Sequence, residues 1–361
     1  MQSSAQIPVW TIAAPIFAAA VLLTAALGLT AGALAVGLIA LGLGGSVFAA
    51  VHHAELVAHR IGEPYGTLVL ALAVTLIEVA LIVSLMAAGG AEAAGLARDT
   101  VFAAVMIILN GIIGLCLLVG GIKYREQSFG LDGVSAALVA LGTIVILTLV
   151  FPNYTVTTPG PFYSPSQLAL IAAVTLVVYG AFIFTQTIEH RPLFLDDAKP
   201  AQAAPAARPG NWITVISTLL LLACLISVVL LAKKLAPSLE AAVMRVGAPN
   251  AVVGVIIAAI VLLPEGLAAL QAARGNRLQT SLNLALGSAL ASIGLTIPAV
   301  SFLSLMTNSH LRLGLDSKSS LLLMLSLFVV VVVLRTGRTI ILHGIVLLVV
   351  FVVYLFTTVV P

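Results

Sequence analysis

Apolar residues run along this chain in blocks of about twenty, the helical length that spans a bilayer core. Read between charges, prolines and glycine clusters, the pattern predicts eleven membrane-spanning helices: 8–29, 31–60, 66–88, 99–122, 132–151, 167–187, 211–235, 250–272, 279–306, 319–334 and 339–359. The expected fold class is therefore all-α and polytopic. One polar connection stands out, "EHRPLFLDDAKPAQAAPAARPGN" at 188–210, rich in Pro and Ala and carrying Glu189, Asp196 and Asp197. It divides the chain near its midpoint.

Composition agrees with the pattern. Of 361 residues 61% are hydrophobic and 8% charged, against about 25% charged in soluble domains, and the mean hydropathy is +1.22. Cys116 and Cys224 each lie in an apolar run without a close cysteine, so neither a disulfide framework nor a cysteine metal site is implied. The net charge of +3 is small and spread over short loops, which excludes a nucleic-acid-binding surface. Ten Lys and Arg fall in loops on the N-terminal side of the membrane and six on the other; the positive-inside rule then puts the N-terminus and the 188–210 linker in the cytoplasm. No Lys or Arg precedes the first apolar run in "MQSSAQIPVW", so that run is expected to be a retained helix. No G-x-x-x-x-G-K-[ST] loop occurs, so ATP is not the expected energy source.

The halves resemble each other. "ELVAHRIGEP" (55–64) returns as "EAAVMRVGAP" (240–249), both E-x4-R-[IV]-G-x-P. Each Gly suits the left-handed residue that ends a helix, with Pro two positions on to prevent continuation. An apolar run with one central acid follows each, Glu78 in "AVTLIEVAL" and Glu265 in "AIVLLPEGLAAL", and "TVFAAVMIILNGIIGL" (100–115) then aligns with "TSLNLALGSALASIGL" (280–295). With the helix in 1–30 set apart, the chain divides into a repeat at 31–187, the linker at 188–210 and a second repeat at 211–361. Five helices in each is an odd number, so the copies enter the membrane from opposite sides, as in secondary transporters with a midplane site between repeats.

A carboxylate at the centre of a membrane helix costs roughly 2.5–3.5 kcal/mol on insertion scales, so Glu78 and Glu265 need compensation. No Lys or Arg falls inside the third, fourth, eighth or ninth expected helix to supply it. Two acids meeting in low dielectric take up protons or bind a cation, and hard cations prefer oxygen ligands. Thr75 lies one turn before Glu78; Asn110 lies in the next helix, with Ser288 and Ser292 in its repeat counterpart. Pro264 removes a helix hydrogen bond and leaves a carbonyl free, as the broken helices of transporters do. "HHAELVAH" offers His52, His53 and His59 but lacks the H-E-x-x-H spacing of a zinc hydrolase.

These residues carry a resemblance. "GEPYGTLVLALAVTLIEVALIVSLM" (62–86) and "LLPEGLAALQAARGNRLQTSLNLALGSALASIGLTIP" (262–298) resemble bacterial calcium/proton and sodium/proton antiporters, in the cation/proton exchanger branch of the cation/Ca2+ exchanger superfamily. The resemblance implies a first helix, two inverted five-helix repeats and a central site with Glu78 and Glu265 as cation and proton ligands, in a bacterial inner membrane. It implies no enzyme activity and no cofactor beyond transported Ca2+ or Na+ and H+; the partners are the lipid bilayer and those ions, with a homo-oligomer open. Glu189, Asp196 and Asp197 suit a solvated loop; the alternative for them, and for Glu63, is a role in cation entry or regulation. Many relatives read G-N-x-x-E around each acid. This chain has Thr75-Leu76-Ile77-Glu78 and Leu262-Leu263-Pro264-Glu265, without that amide, which leaves Na+/H+ or K+/H+ exchange, or a passive cation channel, as alternatives to Ca2+/H+ exchange.

Overall fold

The computed structural model describes residues 7–27, 32–62, 72–73, 75–83, 86, 94–194, 209–245, 247–249, 251–307 and 309–360. They form helices α1 (Val9–Ala26), α2 (Gly32–Ile61), α3 (75–83), α4 (Leu96–Tyr124), α5 (Leu131–Tyr154), α6 (Pro165–Glu189), α7 (Asn211–Arg245), α8 (Ala251–Arg274), α9 (Leu278–Thr307), α10 (Ser317–Leu334) and α11 (Ile341–Val359). Two short strands, β1 (Glu126–Ser128) and β2 (Arg338–Ile340), pair antiparallel. Among the described residues nine helices are long and apolar enough to cross a bilayer, and α1 is a further apolar helix. Much of the expected third span, with Glu63, lies outside the described residues, as does 195–208 of the linker, with Asp196 and Asp197.

Local chemistry sets the helix ends. Ser164 caps α6 reciprocally: its hydroxyl accepts from Gln167 N and its own N–H donates to Gln167 Oε1 at 2.9 Å, with Pro165 at the first position, a capping box. Gly62 and Gly247, the paired glycines of the repeated motif, have φ of +79° and +71° after the ends of α2 and α7, the left-handed position that glycine tolerates. One expected boundary is corrected. α7 does not stop at 235 but runs past Lys233, Lys234 and Pro237 to Arg245. Long lysine stems lie along apolar surface while their amines reach water, so a lysine pair does not by itself end a membrane helix.

The chain forms two compact units, each built from both halves of the sequence. The first contains α1, α2, α3 and α7, with α2 packed along α7 and α1 against both. Gly42 permits that approach: a Cβ there would lie 3.3 Å from Leu231 Cδ1 and 3.7 Å from Ala18 Cα. Ile39, Leu43, Val47, Cys224, Val228 and Leu231 are buried in this unit, and His53, fully buried, holds α2 to α1 through Nε2 at 3.3 Å from the Thr11 carbonyl.

The second unit contains α4–α6 and α8–α11. Here α4 packs on α11 and α9 on α6; α9 packs on α5 and α4 on α10; α5 pairs with α6 and α10 with α11. Exchanging α4–α6 for α9–α11 leaves these pairings unchanged. The connections follow the same exchange, since β1, after α4, pairs with β2, before α11, while Phe162, after α5, bridges to Arg312, after α9. Glycine lets the helices close: a Cβ on Gly344 of α11 would stand 2.4 Å from Leu118 N and 2.7 Å from Gly114 O of α4, the small-residue contact typical of membrane helix pairs.

Candidate cation site

In the first unit, α3 carries Thr75 and Glu78 one turn apart, 3% and 4% exposed. Their apolar neighbours Ile77, Leu81 and Ile82 are buried as well. Burial of this kind disfavours the bare charged form of a carboxylate.

In the second unit the acid is Glu265 on α8, with both carboxylate oxygens buried. Pro264 precedes it, yet α8 is one continuous helix from Ala251 to Arg274. The expected break is therefore a missing rung: Pro264 has no N–H to give the Ile260 carbonyl, and the helix continues around it.

α8 runs parallel to α4 along its whole length. A Cβ on Gly254 would lie 3.2 Å from Asp99 Cβ, and one on Gly266 3.1 Å from Ile112 Cδ1. Cys116 packs on Ala269, and Lys123 Nζ donates to Arg274 O at 2.9 Å. This register places Asn110 of α4 at the level of Pro264 and Glu265. There α4 widens into a π-helical turn, Ile107–Ile112, with α helix on both sides. Such insertions loosen the ladder and recur at functional sites. α8, α9, α10 and α11 all pack on this turn.

Asn110 is fully buried. Its Nδ2 donates to Ser326 Oγ of α10 at 2.9 Å and lies 3.4 Å from the Met106 carbonyl, while Oδ1 has no hydrogen-bond partner among the described residues. On α9, Ser292 is buried and Ser288, one turn earlier, half-buried. Glu189 lies elsewhere, exposed at the end of α6 and 3.9 Å from His190. Among the described residues no group of three or more His, Cys, Asp or Glu could hold a metal. The donors on offer are carboxylate, amide, hydroxyl and carbonyl oxygens, a set suited to hard cations.

Ser326 and the π turn were not anticipated from the sequence. The available signals were slight: Asn110-Gly111 interrupts an apolar run, and Ser326 is the one polar residue between Leu321 and Leu334.

Comparison with known proteins identifies the family and the fold. The family described as "Sodium/calcium exchanger protein" matches residues 29–188 and 216–360. The protein y4hA of Sinorhizobium fredii, an ionic transporter by name, is 47% identical over 360 residues, covering 99% of this chain and 98% of that one. The sodium-potassium/proton antiporter ChaA of Escherichia coli is 38% identical over 332 residues, covering 90% and 88%. The crystal structure of the H+/Ca2+ exchanger CAX shares the fold, with a TM-score of 0.73 at 16% identity over 96% of this chain and 87% of that one. The chain thus belongs to the sodium/calcium exchanger family, in its cation/proton antiporter branch, and is an integral membrane transporter rather than an enzyme.

Proposed function

We propose that the protein exchanges metal cations for protons by alternating access, with Glu78 and Glu265 as the carboxylates for which cation and proton compete. The observation that carries this reading is the enclosure of both acids, at equivalent positions of the sequence repeat, in helices with no Lys or Arg near their centres. When each carries a proton or a cation, little net charge resides in the membrane and the protein can change its open face. When both are bare anions, the same movement carries uncompensated charge through hydrocarbon and is disfavoured. Coupling then follows from electrostatics. Thr75, Asn110, Ser288, Ser292 and the carbonyl freed by Pro264 are the further oxygen ligands in this reading.

The division into a helix at 1–30 and inverted repeats at 31–187 and 211–361 belongs to the same proposal. The reciprocal pairing of α4–α6 with α9–α11 supports it. So does the left-handed glycine after both α2 and α7. The excess of Lys and Arg in loops on the N-terminal side supports a cytoplasmic N-terminus and linker. The membrane potential then acts with about 2.3 kcal/mol per net charge per 100 mV.

The proposed cargo includes Ca2+ together with Na+ and K+. A second reading, in which monovalent ions carry the main flux, is favoured by 38% identity to a sodium-potassium/proton antiporter and by the lack of the G-N-x-x-E asparagine three residues before either acid. Everted vesicles tested with Ca2+, Na+ and K+ in parallel across pH decide between them. Proton release driven by each ion supports the broad cargo; release with Na+ and K+ alone supports the second. Cation conduction without proton movement would make the protein a channel and end both.

A further inference from the structure

Ser326 lies in α10, outside the helices that carry the acids and their neighbouring ligands. Its hydroxyl donates to the Leu322 carbonyl at 2.8 Å, with Met106 Sδ 3.5 Å away as another acceptor. A serine hydroxyl has one proton, and with that proton committed its oxygen can only accept. Asn110 Nδ2 meets it at 2.9 Å. The other groups beside Nδ2, the Met106 carbonyl at 3.4 Å and Met106 Sδ at 3.8 Å, are acceptors too.

A side-chain amide has a donating and an accepting end, and the surrounding hydrogen-bond network decides which end stands where. Every neighbour here selects the NH2 group. Oδ1 is left on the other side, buried and with no donor among the described residues. A flipped Asn110 would set two acceptors against each other at Ser326 and turn its NH2 protons to where a cation would bind.

We propose that Ser326 is a positioning residue for cation binding, fixing the Asn110 amide so that its carbonyl oxygen faces the transported ion. The inference rests on the reading of Asn110 as a supporting ligand. Two observations place that oxygen usefully: the π turn packs on α8, and the α4–α8 register sets Asn110 level with Glu265. Ser326 itself, with its proton given to Leu322 and its oxygen occupied by Asn110, does not touch the ion.

The test is proton flux from liposomes holding the purified full chain, measured against Na+, K+ and Ca2+ concentration. Ser326→Ala and Ser326→Cys, which lack a good acceptor, raise the half-saturating concentration about tenfold, the usual scale for losing a partner that orients a ligand, while the maximal rate stays near wild type. Ser326→Thr restores the wild-type value. Asn110→Ala raises the concentration at least as much, and adding Ser326→Ala to it has no further effect. A fall in maximal rate and thermal midpoint with unchanged half-saturation in both Ser326 variants would make the residue merely structural and overturn the proposal. If Asn110→Ala shifts half-saturation and neither Ser326 variant does, Asn110 stands as a ligand and the positioning role fails. If Asn110→Ala shifts nothing, the reading of Asn110 fails first and the proposal goes with it.

Discussion

Gly266 stands directly against Ile112: a Cβ on the glycine would lie 3.1 Å from the isoleucine Cδ1. The contact joins α8, one residue beyond Glu265, to the π turn that carries Asn110. The absence of a side chain at 266 therefore sets how closely the acid approaches the amide level.

Gly266→Val forces the two helices apart. Overpacking of this kind costs about 1–3 kcal/mol, so the thermal midpoint in detergent falls, and the half-saturating cation concentration rises because the ligands separate. Ile112→Ala in the same chain removes the offending atoms and recovers part of both losses. Recovery of neither would mean that the contact does not position the site.

Gly344 is less forgiving. A Cβ there meets backbone, Leu118 N at 2.4 Å and Gly114 O at 2.7 Å, whereas a Cβ on Gly114 meets Leu347 Cβ and Leu348 Cγ, both at 3.1 Å, and Leu348 N at 3.2 Å. Backbone within a membrane helix cannot step aside. Gly344→Ala is expected to destabilise by about 3 kcal/mol and Gly114→Ala by less, read as thermal midpoints of the purified variants.

Much of this architecture is legible in the sequence because membrane helices are announced by length and apolarity alone. The expected spans 250–272 and 279–306 fall within two residues of Ala251–Arg274 and Leu278–Thr307, since charge and glycine mark their ends. Lys233 and Lys234 misled the reading of α7 because a lysine stem is compatible with the membrane. The β1–β2 pair escaped because three-residue strands have no period to detect. Glu265 and Asn110 were visible as polar residues in apolar runs. Ser326 was not, because a serine can satisfy itself on its own helix, and only the fold reveals that it also accepts from Asn110.

Asp316 offers a pH test outside the membrane spans. It caps α10, accepting from Ser319 N at 3.3 Å. Burial works against its charge, but the Ser319 hydrogen bonds and nearby Lys318 outweigh it and hold the carboxyl below its ordinary range. A folded-state pKa below the unfolded one adds stability that is present above the unfolded value, about 3.9, and lost as pH falls through the folded one. Asp316→Ala should thus cost about 1 kcal/mol at neutral pH. The gap to wild type should close as pH drops below the carboxylate range, checked by melting both proteins across pH. A constant gap would mean that the charge on the cap contributes nothing.

The most direct measurement is the number of protons released when a cation binds to the purified, unloaded protein in weakly buffered detergent solution. Competition at Glu78 and Glu265 predicts proton release that saturates with added Na+, K+ or Ca2+, and an apparent affinity that weakens as pH falls, by about tenfold per pH unit for each carboxylate that must lose its proton. Glu78→Gln or Glu265→Gln should abolish the release while leaving a folded, inserted protein. Cation binding without proton release, or release that survives both substitutions together, would contradict the account.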